Sequence, residues 1–406
     1  MEKGDYPDEQ NRRVMGMNRR TLLAATGALL GSSLLERAGV ETAPNNGTPL
    51  KSASNSAAET FNLFDFEGLA RQRIPHPAYE YIAGGAADEI TLRWNREAFD
   101  ALALRPRVLV DIERIDTSVE LFGRRLAFPV LLAPTAFHRL VHPDGEVETA
   151  RGASAGEALF VVSSLSTRRV EDISRAMTQP WCFQLFDIGR RRREFLLGLL
   201  ESLKARGCQG LVVTADAPVT GVRNRSERAH FSLPEDFETP YYPDRTARTQ
   251  VGGLPVSGSS TWADLAWLRS KTVLPIMLKG VLHEEDAKLA VKAGMDGIIV
   301  SNHGGRELDT VPATITVLPR IIKAVGNHVP VLLDGGVRRG TDVMKALALG
   351  ARAVLIGRPY LYGLSVGGAP GVAQVLGILR GEFEMAMKLS GRRTLAEIDR
   401  SVIHGK

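Results

Sequence analysis

The chain has 406 residues, is 44% hydrophobic and 24% charged, and carries a formal net charge of +5, enough to bury one large core or two ordinary ones. No basic stripe interleaved with aromatics accompanies that modest charge, which speaks against nucleic-acid binding. The two cysteines, Cys182 and Cys208, lie in apolar runs outside any C-x-x-C spacing; they read as buried thiols rather than a disulfide or a metal site.

Taken in chain order, residues 1–60 do not belong to the fold. Asn18, Arg19 and Arg20 precede the short apolar stretch Thr21 to Leu35, and a linker rich in Pro, Asn, Ser and Ala follows to about residue 60. An arginine pair before a moderately hydrophobic segment has the form of a twin-arginine (Tat) export signal, and the segment is short for a membrane span. The expectation is a disordered export segment and a periplasmic or envelope location, or a cytoplasmic one if the signal does not function. Phe61 to Arg105 is an amphipathic helical section placed to cap one end of the domain.

Eight short apolar runs then recur: Pro129–Ala133, Leu159–Ser163, Trp181–Leu185, Gly210–Thr214, Pro275–Lys279, Gly297–Ser301, Pro330–Asp334 and Ala353–Ile356. Between them lie segments of helical period, such as Glu146 to Glu157, Val170 to Met177, Arg193 to Arg206, Glu284 to Ala293 and Thr341 to Leu349. Continuous apolar strands alternating with helices call for a buried parallel sheet, and eight such units predict a closed (β/α)8 TIM barrel over residues 61–406. An open doubly wound sheet is the other arrangement, but no G-x-G-x-x-G follows the first strand. The insert between Thr214 and Pro275 reads as a loop folded over the barrel mouth, and Arg190 to Arg193 as a solvated helix start.

In a barrel, residues just past each strand crowd onto one face and carry the chemistry. Here these are Thr135, Ser163, Gln184, Thr214, Asp216, Lys279, Ser301, His303, Arg306, Asp334, Arg338 and Arg358. The string SNHGGRELD (Ser301 to Asp309) offers a general base and a carboxylate clamp in one loop. Asp334-Gly335-Gly336-Val337-Arg338 and Gly357-Arg358 follow the seventh and eighth runs, where barrels commonly hold phosphate. Lys279 ends an apolar run and needs an anionic partner if buried; a cofactor that gains negative charge on reduction would supply one.

With APTA (Ala133 to Ala136), FQL (Phe183 to Leu185), TADAP (Thr214 to Pro218), KGV, SNHGGR, DGGVRRG and IGRP in order, the chain resembles the FMN-dependent α-hydroxy-acid oxidases and dehydrogenases, among them glycolate oxidase, lactate oxidase and mandelate dehydrogenase. The resemblance runs from about Phe61 to Ile403. It implies FMN, with its phosphate at Asp334, Gly335, Gly336, Val337, Arg338, Gly357 and Arg358. The flavin ring would lie over Pro134, Thr135 and Ala136, hydrogen-bonded by Ser163, Gln184, Thr214 and Ser301, with Lys279 at the edge that becomes anionic. It further implies that Tyr81, Arg223 and Arg306 hold a substrate carboxylate, that His303 takes a proton, and that Asp216 supports the imidazolium. Hydride and carbanion routes both stay open, as do oxygen, a quinone or a cytochrome as electron acceptor, and a tetramer is implied.

Two positions depart from the family pattern. Phe186 replaces a common Tyr, and Leu165 stands where glycolate oxidase has Trp, so the pocket is expected to be wider there. A second reading is a family relative repurposed as a peptide- or metabolite-modifying flavoenzyme. His76, His138, His142, His230, His283 and His328 match no catalytic position and are assigned to surface or capping roles.

Overall fold

The computed structural model describes residues 60–241 and 260–405. The twin-arginine stretch and its linker lie outside them. The first helix opens on a capping box: the Asn62 side chain accepts from the Phe64 and Asp65 amides, and Asp65 accepts from the Asn62 amide. Helices α1 (Leu63–Arg73), α2 (His76–Ala83) and α3 (Ile90–Asp100) form the expected helical section. No side chain of its own caps α3. Asp309 does so from far along the chain, accepting from the Asp88, Ile90 and Thr91 amides at 3.1, 3.2 and 2.8 Å.

A hairpin that the sequence reading missed comes next, β1 (Val119–Leu121) paired antiparallel with β2 (Arg124–Leu126). Its Val119, Leu121 and Leu126 join the core inside the barrel. Arg124 reaches Gln209 and Arg352 reaches the Glu120 carbonyl. Since Gln209 and Arg352 just precede strands, the hairpin closes the amino-terminal end of the barrel and leaves the other end open.

The barrel strands are β3 (Val130–Leu132), β4 (Phe160–Ser163), β5 (Trp181–Leu185), β6 (Leu211–Thr214), β7 (Ile276–Lys279), β8 (Gly297–Val300), β9 (Val331–Leu333) and β10 (Ala353–Ile356). They form one closed ring in the order β10-β3-β4-β5-β6-β7-β8-β9, and each lies within its predicted run. Leu131, Val161, Cys182, Val212, Met277, Ile299, Leu332 and Leu355 fill the interior. Val130, Leu132, Phe160, Val162 and Phe183 face the helices. Burial on both faces is what makes the runs continuously apolar instead of alternating.

Around the ring run α4 (Glu146–Ala155), α5 (Val170–Arg175), α6 (Arg193–Ala205), α7 (Asn224–Arg228), α8 (Trp262–Arg269), α9 (Glu284–Lys292), α10 (Thr314–Val325), α11 (Gly340–Ala348) and α12 (Arg358–Leu389). α12 breaks at Gly367 and Gly368, whose backbones leave helical values. The insert between Thr214 and Pro275, expected to be a loop over the mouth, therefore holds α7 and α8, and not loop alone; its residues 242–259 lie outside the described residues. The arginine run is only half solvated. Arg192 bonds the Tyr241 carbonyl, and Arg193 bonds Asp264 at 3.1 Å across the Trp267 ring. Cys182 and Cys208 are free and buried, and burial pushes the Cys208 thiol up to about 12.

Candidate active site

The open end of the barrel holds a cavity lined by Tyr81, Pro134, Thr135, Ala136, Ser163, Leu165, Gln184, Phe186, Thr214, Arg223, Lys279, His303, Arg306, Asp334, Gly335, Gly336, Val337, Arg338, Gly357 and Arg358. Every candidate residue except Asp216 and Ser301 thus reaches one space. Those two stand behind its wall.

Strand register explains the polar belt. Ser163 pairs with Gln184 across β4 and β5, and Thr214 with Lys279 across β6 and β7. Ser163 Oγ donates to Gln184 Oε1 at 2.9 Å, and Gln184 Nε2 donates to Thr214 Oγ1 at 2.8 Å. Lys279 Nζ donates to Ser301 Oγ at 2.9 Å and lies 3.4 Å from Asp334 Oδ2. Asp334 within the protein is therefore an anionic partner of the lysine, where the sequence pointed to a cofactor that gains negative charge on reduction. Burial works against the ammonium, but Asp334 and Asp216 overcome it and hold the Lys279 pKa above its ordinary value. Ser301 is fully buried and accepts from Lys279 and from the His303 amide, so its hydroxyl holds the His303 loop.

His303 follows β8 in the left-handed region, with φ 56°, and Gly304 and Gly305 continue at 66° and 71°. Histidine is among the few side chains enriched there. Its Nδ1 donates to Asp216 Oδ1 at 3.0 Å, which leaves the Nε2 lone pair free on the cavity side. Phe186 meets the ring edge-on, with centroids 6.2 Å apart. Burial raises the Asp216 pKa, but Lys279 and His303 outweigh it, so the carboxyl stays below the usual range. Asp216 fits because residue 280 is glycine: a Cβ on Gly280 would lie 2.5 Å from Asp216 Cβ, and its φ of 107° is one that L side chains rarely adopt.

The remaining wall is cationic. Arg306 Nη1 donates to the Ile82 and Gly84 carbonyls at 3.2 and 2.9 Å and lies over the Tyr81 ring, itself stacked on Phe231. Arg358 donates to the Ile82, Gly304 and Gly84 carbonyls. Burial, with Arg223 and Arg358 alongside, pulls Arg306 down to about 9; burial and neighbouring arginines pull Arg358 down to about 10. Arg306, Arg338 and Arg358 have no carboxylate within ion-pair reach among the described residues, and Arg223 Nε is buried without a partner. Guanidinia crowded in this way call for anionic ligands. A dianionic phosphate and a carboxylate fit that demand, and the hydrogen-bonding belt fits the rim of a flavin ring.

Glu307 and Gly280 are site residues that sequence reasoning missed. Glu307 lines the cavity and ion-pairs Arg223 Nη2 at 2.5 Å. The only clue was its place one residue after Arg306. His138 corrects an expectation. It is no surface residue but fully buried, with Nε2 2.7 Å from Thr135 Oγ1 and Nδ1 2.8 Å from Thr149 Oγ1. Burial keeps its pKa below the ordinary histidine value, so a neutral imidazole braces Thr135. Gly336, in the loop after β9, also has a packing cause: a Cβ there would lie 2.2 Å from the Asn95 carbonyl of α3.

A closed barrel with this site fits a flavin-dependent oxidoreductase, and the family model for FMN-dependent dehydrogenase matches residues 70–405. The chain belongs to that family, and its cofactor is FMN. It is 42% identical over 355 residues to glycolate oxidase 3 of Arabidopsis thaliana, covering 85% of this chain and 96% of that protein. A peroxisomal (S)-2-hydroxyacid oxidase of Arabidopsis thaliana is 43% identical over 347 residues, covering 84% and 95%. Mandelate oxidase crystallised with (S)-2-phenylpropionate superimposes with a TM-score of 0.77 at 37% identity, over 86% of this chain and 98% of that one. These relatives overturn one expectation. Those whose names state a location are peroxisomal plant enzymes, so the export reading of Arg19 and Arg20 is withdrawn.

Proposed function

We propose that this chain oxidises (S)-2-hydroxy acids to 2-oxo acids, with residues 61–406 as the flavin domain and dioxygen as the acceptor. The observation that carries the reading is His303, whose Nε2 faces the cavity because Asp216 holds Nδ1. Beside it stand Arg306 and Arg223. Bound FMN supplies the acceptor for two electrons from the carbinol carbon. The belt from Ser163 to Thr214, with Lys279, would hold its ring, and Arg338 and Arg358 its phosphate. Arg306, Arg223 and Tyr81 hold the substrate carboxylate, since guanidinium is planar and permanently charged. His303 Nε2 takes the hydroxyl proton, and Asp216 stabilises the imidazolium that results. The relatives named oxidases support oxygen, which gives peroxide.

Leu165 and Phe186 line the substrate end, which favours a 2-hydroxy acid of four or more carbons or with an aryl group. The test is steady-state turnover of the yellow protein in air with a panel of (S)-2-hydroxy acids, measuring 2-oxo acid and peroxide. Equal amounts of both are expected. Turnover only with a quinone or cytochrome would overturn the choice of oxygen, and FMN-loaded protein inert to every acid would overturn the reading.

A further inference from the structure

Glu307 takes no part in the chemistry just described, yet its side chain is only 9% exposed and lies between the base and the clamp. Oε1 accepts from Arg223 Nη2 at 2.5 Å and lies 3.9 Å from His303 Nε2, while Oε2 accepts from the Gly221 amide at 2.8 Å. The imidazole is thus bracketed by two carboxylates, Asp216 at Nδ1 and Glu307 near Nε2. The other charged groups around it are Lys279, which pairs with Asp334; Arg358, which donates to the adjacent Gly304 carbonyl; and Arg223 and Arg306 across the cavity. Phe186 and Ser301 complete the surroundings and carry no charge.

We propose that Glu307 is a specificity-determining residue that sets the charge of the carboxylate clamp. The proposal rests on the functional reading above. Its carboxylate neutralises Arg223, so a substrate meets one net positive charge at the clamp instead of two. Such a site suits a monocarboxylate and penalises a second acidic group.

Glu307→Gln in the FMN-loaded protein tests this. With the negative charge gone, benzoate and malonate, titrated through perturbation of the flavin absorbance, should bind about tenfold more tightly, malonate gaining more, because the clamp then carries a second uncompensated positive charge. Glu307→Asp, which keeps the charge, should leave both affinities close to those of the wild type. If E307Q does not load FMN, Glu307→Ala carries the same two titrations. Unchanged affinities in the charge-removing variant overturn the proposal, as do affinities that E307D raises as far as E307Q. A wild type that oxidises no hydroxy acid, or a His303→Asn variant that is fully active, would instead strike the functional reading, and the benzoate and malonate titrations would still decide the clamp.

Discussion

His303 sits in a backbone conformation that costs a non-glycine residue roughly 1–2 kcal/mol, and the fold holds it there through the Ser301 and Asp216 contacts. His303→Asn should keep its yellow colour and lose at least about 10²-fold in the rate of flavin reduction, the usual range for removing a general base. Arg306→Lys should raise KM for the acid as well, because a lysine cannot make a paired contact; steady-state kinetics separates the two constants. Lys279 pairs with the buried Asp334 and acts on Asp216 through its field. Its own pKa is raised above 10.5, so its contribution holds at neutral pH and is lost as pH rises through the folded value. That of Asp216, lowered below 3.8, is lost only as pH falls through its folded value. Lys279→Met should therefore cost about 3–5 kcal/mol at pH 7 by denaturant unfolding, and should unfold at a higher pH on the acid side, where Asp216 protonates more readily. Leu165→Trp should shift preference toward glycolate by roughly tenfold in kcat/KM, read from the ratio of glycolate to a longer acid.

Among the elements, the barrel strands were legible because burial on both faces leaves a contiguous apolar run, and each observed strand falls inside its run. The β1–β2 hairpin was not, since strands of three residues show too little alternation to register. His138 was misassigned for a related reason: a polar residue in a short turn looks exposed until Thr135, Thr149 and Tyr360 close around it. Glu307 was missed because its meaning depends on Arg223, a partner far along the chain on the insert. Glycine spacing pointed to the right loops, yet Gly336 and Gly280 are glycines for the sake of α3 and Asp216. Gly280→Ala accordingly should displace Asp216, lower the flavin reduction rate by about 10-fold or more, and cost about 1–3 kcal/mol in thermal or denaturant unfolding, while FMN is retained.

For the whole molecule, the helical section and the barrel meet at the base. Asp309 caps α3, Asn95 and Asn302 exchange hydrogen bonds of 2.9 and 2.8 Å, and Arg306 binds carbonyls at the end of α2. The SNHGGRELD loop is therefore fixed from both sides, with His303 and Arg306 held on rigid elements. This is why the candidate residues scattered from Tyr81 to Arg358, Asp216 and Ser301 apart, line one cavity. On the proposed reading His303 is the base for an (S)-2-hydroxy acid. Anaerobic single-turnover reduction of the bound flavin by (S)- and (R)-mandelate, in wild type and His303→Asn, tests it most directly. Bleaching of the wild type by the (S) acid, with little response to the (R) acid and a rate at least about 10²-fold lower in the variant, is the predicted result. Equal reduction by both enantiomers, or by the variant at the wild-type rate, would contradict it.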